Sequence, residues 1–327
     1  MIITVTPNPS IDRTVTLPGE LVRGAVHRVS TVSSEPGGKG VNVARALQLA
    51  AIDVVTVLPA DDHDPILAAL RAVDVDFHAV PVATAVRTNL AITESDGTTT
   101  KINEPGAKIG KAGIEGLVRA VTDRAQSAKW VVLSGSLPPG MPESWYSDMV
   151  ATLRPLGCKV AVDTSDAPLA ALATDLERAA PDLIKPNADE LASLSGVTAE
   201  SLESAVARGD AIPVVSAARQ LIDRGVGAVL ATLGAAGAVL VDADGAWLAT
   251  PPPIIPRSTV GAGDSSLAGY IRADVNGADA SLRLQMAVAY GSGAAALPGT
   301  AMPSPGQINL DDVAVTAVSD PNPKVSS

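Results

Sequence analysis

The sequence has very few residues of the two types that most often form disulfides, metal sites and catalytic triads. It contains one cysteine, Cys158, and three histidines, none of which follows His78. A single cysteine excludes an intramolecular disulfide framework and a zinc site built from several cysteines. Without a late histidine, triads in which the histidine follows the nucleophile are excluded, and no histidine pair has metal-binding spacing. The chemistry must therefore use carboxylates, main-chain amides, basic side chains or a bound cofactor.

Aromatic residues and long apolar runs are also scarce. Aromatics make up 2% of the 327 residues while hydrophobic residues make up 46%, so the core must be aliphatic. No apolar run reaches the roughly 18 residues of a membrane-spanning helix, and no signal-peptide pattern opens the chain. A formal net charge of −11 argues against a general nucleic-acid binder. We expect a globular cytoplasmic protein that binds neither nucleic acid nor membrane.

Short apolar runs alternate with helix-period segments along most of the chain. Buried strands are predicted at residues 1–5, 53–58, 130–133, 159–162, 183–184 and 228–230. Between the strands, apolar residues recur at i, i+3, i+4 and i+7, as at Val43, Ala46, Leu47 and Ala50, which gives a helix one apolar stripe. This alternation predicts an α/β fold with parallel strands joined by right-handed crossovers.

Two excursions in the N-terminal third break this alternation. Residues 13–17 and 26–32 look extended, and residues 88–94 and 98–102 flank a Ser-Asp-Gly turn that is typical of a β-hairpin. Such one-sided, threonine-rich strands do not belong in the middle of a parallel sheet. The sequence therefore predicts a second, small antiparallel sheet.

The most informative motif is STVGAGDSSLAG, at residues 258–269. Gly261 and Gly263 allow a tight turn with converging N–H groups, and a helix that starts at Asp264 would attract an anion to its N-terminus. A carboxylate at that position makes sense if it removes a proton from a hydroxyl that attacks a phosphoryl group. The alternative is an ordinary glycine-rich turn that Asp264 caps.

A second glycine-rich stretch, EPGGKGVN, runs from Glu35 to Asn42 and leads into a predicted helix. It fits neither the Walker A spacing nor the Rossmann fingerprint. Its glycines allow close approach of the backbone to a ligand, and the Asn42 amide offers the donors and the acceptor that sugar hydroxyls need. A flexible connection between strand and helix remains the alternative.

The stretch KPNADE places Asn187 and Glu190 at i and i+3, on one face of a first helical turn. Oxygen ligands in that arrangement suit a Mg²⁺ ion that keeps several waters. Helix capping alone would also explain Asn187.

Two further stretches follow predicted strands. SGSLPPG, at residues 134–140, would lie at the carboxyl end of its strand, where open α/β sheets bind ligands. TLGAAG, at residues 232–237, is compatible with a site for nucleotide phosphates or with a plain hairpin. The shared position of these motifs after strands is more informative than any one of them.

Taken together, these motifs resemble the ribokinase-like sugar kinases, specifically the phosphofructokinase B branch. The likeness runs from about residue 2 to 296, and the stretches TPNPSID, TKINEPG and SGSLPPG are most similar to its 1-phosphofructokinase group. The resemblance implies a three-layer α/β/α sandwich with a mainly parallel central sheet and a small antiparallel β lid. It implies one kinase domain over residues 1–320, with the lid at about 12–34 and 86–104, and a flexible tail over residues 321–327.

The resemblance also implies a role for each matching residue. Asp264 is the expected catalytic base, and the amides of Gly261, Ala262 and Gly263 form the expected anion hole. The expected substrate-binding residues are Asp12, Arg28, Gly38, Lys39, Asn42, Arg87, Lys101 and Ser136. The nucleotide is expected at Lys185, Thr232, Gly234, Gly237, Gly291 and Ser292, and Mg²⁺ at Asn187 and Glu190. Tyr290 is expected either at the adenine or in the core, and Glu104 has no predicted role.

The implied activity is ATP-dependent phosphoryl transfer to a sugar phosphate, with Mg²⁺ as cofactor, in a homodimer formed through the lid. The favoured reaction converts fructose 1-phosphate to fructose 1,6-bisphosphate. Tagatose 6-phosphate and fructose 6-phosphate are alternative acceptors, and a non-catalytic sugar or nucleotide sensor is the alternative of another class. Because the net charge of −11 repels both substrates, a local cluster formed by Arg28, Lys39 and Arg87 is expected to attract them.

Overall fold

Residues 1–319 are the part of the chain that this computed structural model describes, so the predicted boundary at 320 and the tail at 321–327 lie outside the described residues. The strands are β1 (Ile2–Val5), β2 (Ser10–Thr16), β3 (Thr31–Gly37), β4 (Val54–Ala60), β5 (Phe77–Pro81), β6 (Arg87–Thr93), β7 (Thr99–Asn103), β8 (Trp130–Ser134), β9 (Lys159–Asp163), β10 (Leu183–Ile184), β11 (Ala228–Thr232), β12 (Ala238–Asp242), β13 (Ala246–Thr250) and β14 (Ala314–Ala317). The helices are α1 (Lys39–Leu49), α2 (Pro65–Ala72), α3 (Lys111–Ala125), α4 (Trp145–Leu153), α5 (Asp166–Thr174), α6 (Leu176–Ala179), α7 (Ala188–Ser195), α8 (Ala199–Ala207), α9 (Ile212–Ile222), α10 (Ala262–Val275) and α11 (Ala280–Ala295).

Ten strands form the central sheet, in the order β14-β13-β12-β11-β10-β9-β8-β1-β4-β5. The strands from β11 to β5 run parallel, whereas β12, β13 and β14 extend the sheet in antiparallel fashion. The chain leaves β1 toward β4 on one side and later returns to β8 on the other. The carboxyl ends of β1 and β8 therefore border a switch point, where open α/β sheets bind ligands.

Helices cover both faces of the central sheet. Helices α3 to α9 pack on one face and α1, α2, α10 and α11 on the other, and each side has its own aliphatic core. Successive residues of a strand point to opposite faces, so Val131 and Leu133 enter the first core while Trp130 and Val132 enter the second. The predicted α/β fold and its aliphatic core are confirmed. Within the described residues, no helix is both long and apolar enough to cross a membrane.

The predicted second sheet is also present, as four strands in the order β3-β2-β6-β7, called here the small sheet. Both of its insertions leave the carboxyl ends of central strands, β1 and β5, and therefore lie beside the switch point. Two of its pairings are antiparallel. The third, between β2 and β6, is parallel, which is possible because the two strands come from separate insertions and no tight turn joins them. The prediction for residues 26–32 is wrong in part, since β3 begins only at Thr31.

Candidate active site

Helix α10 begins beside the switch point with a turn that requires glycine. Its N-cap, Gly261, has a left-handed φ of 79°. A Cβ atom there would lie 2.7 Å from Met302 Cε, so a larger residue would have to displace the end of that side chain and would also strain the backbone. Gly261, Ala262 and Gly263 are half-buried, and the N–H groups of a first helical turn have no carbonyl partner within the helix. This end of α10 can therefore receive an anion.

Asp264, in the first turn of α10, contacts the glycine-rich stretch that precedes α1. Asn42 Nδ2 donates a hydrogen bond of 2.9 Å to Asp264 Oδ2, and both side chains are buried. Asn42 Oδ1 is buried without a hydrogen-bond partner among residues 1–319. Because buried polar atoms are normally satisfied, this oxygen is available to a ligand hydroxyl.

A second carboxylate near Asp264, Asp163 at the end of β9, was not predicted. Lys39 Nζ donates to its Oδ1 at 2.7 Å, and Lys185 Nζ lies 3.2 Å from its Oδ2. Burial would raise the pKa of Asp163, but Lys185 and Lys39 hold it below its ordinary value. Burial would lower the pKa of Lys39, but Asp163, Asp264 and Glu190 raise it above its ordinary value. Lys39 therefore lies at the carboxyl end of the sheet, where its ammonium pairs with Asp163.

These charges set the proton affinity of Asp264. Burial raises its pKa from 3.8 to about 6, and the negative charge of Asp163 acts in the same direction. Lys39, the hydrogen bond from Asn42 and Lys185 oppose that rise without cancelling it. A carboxylate with this pKa is ionised at neutral pH and is a better proton acceptor than an exposed aspartate.

The small sheet carries a second polar group around Asp12. Its Oδ1 accepts hydrogen bonds from Ser10 Oγ at 2.7 Å and from Asn89 Nδ2 at 2.9 Å. The β2–β6 register pairs Ser10 with Arg87 and Asp12 with Asn89. Asn89 was not predicted, although strand alternation puts it on the same face as Arg87. Its Oδ1 is a second buried acceptor without a partner in the described part of the chain.

Two glycines allow this group to lie close to the start of α1. A Cβ atom on Gly37 would lie 2.3 Å from the Asp12 carboxylate. Gly38 has a φ of 112°, and a Cβ atom there would lie 2.6 Å from Thr6 Cγ2. Gly37 is therefore required by close packing against Asp12, and Gly38 by its backbone conformation and its packing against Thr6.

Glu104, which had no predicted role, holds Arg87. Arg87 Nη1 donates to the Glu104 carbonyl at 2.9 Å, and the Thr88 N–H donates to Glu104 Oε2 at 2.8 Å. Burial lowers the pKa of Arg87, and Asp12 and Glu104 partly offset that effect. Arg87 Nε is buried and lacks a hydrogen-bond partner within residues 1–319. The guanidinium is thus fixed at one nitrogen and keeps a free donor.

Other predicted substrate residues divide into two groups. Ser136 lies at the site, because Asn8 Nδ2 donates both to Ser136 Oγ at 3.1 Å and to the Pro105 carbonyl at 3.1 Å. Arg28 and Lys101 are both exposed, and neither side chain forms a hydrogen bond or ion pair with another described residue, so their substrate-binding roles stay predictions. Arg28 follows the end of β2 in a segment without regular structure, and Lys101 lies on the edge strand β7.

On the other side of Asp264, residues from β10 and β11 approach the start of α10. Lys185 Nζ would lie 3.2 Å from a Cβ atom on Gly263, so its ammonium is beside the anion site. The Thr232 N–H donates to the Pro186 carbonyl at 3.0 Å, and Thr232 forms a β-bridge with Asn187. Asn187 and Glu190 form a reciprocal capping box at the start of α7, with both hydrogen bonds at 2.8 Å. Capping therefore uses the single side-chain oxygen of Asn187 and one of the two oxygens of Glu190, Oε2.

The remaining predicted nucleotide residues have structural partners. Gly234 and Gly237 form the turn of the β11–β12 hairpin, in which a Cβ atom on Gly237 would collide with the Ala249 carbonyl. A Cβ atom on Gly291 would collide with Ser266 Oγ, so this glycine lets α11 pack against α10. Tyr290 is a core residue, whose hydroxyl bonds to Arg272 at 2.7 Å. Ser292 is half-buried on α11.

The sequence profile of the pfkB family carbohydrate kinases matches residues 6–306. The chain belongs to that family. It is 38% identical over 309 residues to a 1-phosphofructokinase of Rhodobacter capsulatus, with 93% of each chain covered. The crystal structure of phosphofructokinase-2 from Escherichia coli in complex with substrates and products superposes with a TM-score of 0.84 at 28% identity, covering 94% of this chain and 96% of that one. Ribokinase from Thermotoga maritima, at 17% identity, covers 94% of this chain and 97% of its own with a TM-score of 0.71, which shows a shared fold.

The predicted ribokinase-like fold and the predicted class of sugar-phosphate kinase are thus confirmed. Membership of this family implies ATP as the phosphoryl donor.

Proposed function

We propose that the chain transfers the γ-phosphoryl group of ATP to the C6 hydroxyl of fructose 1-phosphate, which gives ADP and fructose 1,6-bisphosphate. The observation that carries this proposal is the contact of 2.9 Å between Asn42 and Asp264. It joins the glycine-rich stretch of the small sheet to the helix N-terminus that can hold an anion. Relatives such as the 1-phosphofructokinase of Rhodobacter capsulatus support the choice of acceptor.

In this proposal Asp264 is the base. Its Oδ2 is held by Asn42, so its other oxygen is free to accept the proton of the attacking hydroxyl. The pKa near 6 keeps the carboxylate ionised at neutral pH while it remains basic enough to take that proton as the phosphoryl bond forms.

Main-chain amides and a lysine stabilise the negative charge of the phosphoryl group during its transfer. The N–H groups of Gly261, Ala262 and Gly263 lie at the start of α10, where the helix dipole adds to their effect. The Ala262 N–H makes a long hydrogen bond of 3.4 Å to the Thr259 carbonyl, which an anion would replace. Lys185 lies against Gly263 and completes the positive environment. Lys39, held between three carboxylates on the nucleotide side of Asn42, is assigned to the same task in place of sugar binding.

The sugar phosphate lies under the small sheet. Asp12, the Gly38 amide and Asn42 Oδ1 bind hydroxyls, and Asn89 Oδ1 offers a further acceptor beside them. Arg87, with its free Nε, and Ser136 bind the phosphate that the substrate already carries. Closure of the small sheet over the sugar then excludes water, which would otherwise accept the phosphoryl group.

The side-chain oxygens on the nucleotide side of the site are of the kind that bind Mg²⁺. Burial raises the pKa of Glu190 above its ordinary value, and Lys39, the Asn187 N–H and Lys185 offset that rise only in part, so further positive charge would stabilise the ionised carboxylate. The described residues contain no group of three acidic, histidine or cysteine side chains placed to hold a metal. This agrees with an ion bound mainly by ATP and water, with Asn187 and Glu190 as its protein contacts. When bound, Mg²⁺ offsets the charge of the ATP phosphates.

The proposal also assigns residues to the nucleotide site. Thr232, Gly234 and Gly237 line the phosphates at the β11–β12 turn, and Gly291 and Ser292 border the adenine.

Exposed apolar residues on the small sheet and its β2–β3 connection support a homodimer formed through this surface: Val22, Val26, Val29, Val32 and Ile102.

A coupled assay of ADP release with three acceptors tests the proposed function. We expect the highest kcat/KM with fructose 1-phosphate and lower values with fructose 6-phosphate and tagatose 6-phosphate. A preference for either of the others would keep the chemistry but overturn the acceptor. Absence of ADP release with all three would overturn the proposal.

The pH dependence of turnover follows from the raised pKa of Asp264. We expect kcat/KM, which reports the ionisation of the unliganded enzyme, to fall to half its plateau value near pH 6, because the base must be ionised. The second ionisation of a sugar phosphate also lies near 6, so a variant must separate the two. Asp163→Asn removes a charge that raises the pKa of Asp264 and should move the midpoint to lower pH. An unchanged midpoint in that variant would assign the titration to the substrate.

Gly37→Ala tests the close packing around Asp12. The new Cβ atom would lie 2.3 Å from the Asp12 carboxylate and force it to move. We expect kcat/KM for fructose 1-phosphate to fall by about 10- to 100-fold, as for other small displacements of positioning groups. Gly19→Ala is the control, because no atom lies within 4 Å of its added Cβ. Equal kinetics in the two variants would show that Asp12 does not bind the sugar.

A further inference from the structure

Glu35 connects the small sheet to a distant segment of the chain. Its Oε2 accepts a hydrogen bond of 2.6 Å from Arg45 Nη2 and one of 2.8 Å from Thr300 Oγ1, which is 265 residues away in sequence. Arg45 belongs to α1, whereas Thr300 lies after α11. In the β2–β3 ladder Glu35 is paired with Asp12, so its backbone belongs to the strand pair that carries the proposed sugar ligand. No role was predicted for this glutamate.

The segment that holds Thr300 also packs under the anion site. Met302 is buried, and its Cε lies 2.7 Å from the position of a Cβ atom on Gly261. Ser265 Oγ, one residue after Asp264, donates to Met302 Sδ at 3.3 Å. Residues 300–302 therefore pack directly against the Gly261 turn, and a shift of this segment would change the packing of that turn.

We propose that the hydrogen bond between Thr300 and Glu35 is a positioning contact that couples sugar-phosphate binding to nucleotide binding. When the small sheet closes on the sugar, Glu35 moves with β3 and draws residues 300–302 with it. Met302 then fixes the Gly261 turn in the conformation that receives the ATP phosphates. By linkage, a nucleotide that orders this turn favours the closed sheet and tightens sugar binding by the same factor. The choice of sugar phosphate in the test rests on the proposed function.

Thr300→Val tests this coupling, because valine keeps the shape of threonine and lacks the hydroxyl. Calorimetry would give the Kd of fructose 1-phosphate with and without the non-hydrolysable nucleotide AMP-PNP. For the wild type we expect nucleotide to tighten sugar binding by about fivefold or more, the usual lower range of coupling between sites. In Thr300→Val the ratio of the two Kd values should fall to within about twofold of one, and Thr300→Ser should restore it.

Ser304→Ala is the matched control within the same segment. Its hydroxyl bonds to Gln307 Oε1 at 3.1 Å and does not contact Glu35. We expect this variant to keep the wild-type ratio, even if its melting temperature falls. A wild-type ratio of one, an unchanged ratio in Thr300→Val, or an equal loss in Ser304→Ala would overturn the proposal. If the acceptor assay identifies a different sugar phosphate, the same ratio measured with that compound decides the coupling separately from the substrate assignment.

Discussion

Asp264→Asn is expected to lower kcat by about 10²- to 10⁴-fold, the range over which general bases contribute. Asparagine can still accept the hydrogen bond from Asn42, so the shape of the site is kept. It cannot take the proton of the attacking hydroxyl. Steady-state kinetics with fructose 1-phosphate and ATP would measure the loss, and the affinity for AMP-PNP should change little.

Thermal unfolding separates this loss from a folding defect. Burial raises the pKa of Asp264, so the stability that its protonated form contributes is full below 3.8 and is lost as pH rises through about 6. At pH 8 the ionised carboxylate opposes folding, and the neutral asparagine should unfold at a temperature no lower than the wild type. Near-normal turnover, or a loss of activity that follows a fall in melting temperature, would remove Asp264 from the mechanism.

Arg87→Ala is expected to raise the KM for fructose 1-phosphate by about 100-fold, with a smaller effect on kcat. Charge-assisted hydrogen bonds to a phosphate contribute about 1.5–3 kcal/mol each, and the guanidinium supplies two or more donors. Arg87 already points its free Nε into a buried position, held at Nη1 by Glu104. Initial rates over a range of sugar-phosphate concentrations would measure this effect.

Two comparisons show whether Arg87 reads the phosphate. With fructose as the acceptor, which lacks a phosphate, wild type and Arg87→Ala should have similar kcat/KM values. Arg119→Ala, which removes an exposed arginine of α3, should behave as wild type with fructose 1-phosphate. An unchanged KM in Arg87→Ala would place the substrate phosphate elsewhere, and an equal loss with fructose would assign Arg87 a purely structural role.

The architecture could be predicted because its signals are local. Apolar periodicity identified the helices from Lys39, Pro65 and Lys111, and short aliphatic runs identified the parallel strands. The antiparallel strand β12 was anticipated only in the hairpin alternative for residues 232–237, and β13 and β14 were not predicted. Strand β14 has four residues and is mostly exposed, so it gives no apolar signal. The parallel β2–β6 pairing also escaped prediction, since it joins two insertions that are far apart in sequence.

Asp264 and Asn42, which the structure brings into contact, could be singled out because each lies in a short motif that joins glycines to a polar residue. Asp163 was missed because its role depends on its ion pairs with Lys39, which is 124 residues away in sequence, and with Lys185. Asn89 could have been found by counting two residues from Arg87 along the strand. The positions of Arg28 and Lys101 depend on which side of the small sheet each segment takes, and no local pattern encodes that choice.

The most direct measurement is ³¹P nuclear magnetic resonance of a reaction that contains the protein, ATP, Mg²⁺ and fructose 1-phosphate. The account predicts that the ATP γ signal disappears as a second sugar-phosphate resonance appears on C6 in equal amount. It also predicts that Asp264→Asn suppresses this exchange while the protein remains folded. Release of inorganic phosphate without a new phosphate ester, or a new ester at the same rate in Asp264→Asn, would contradict it.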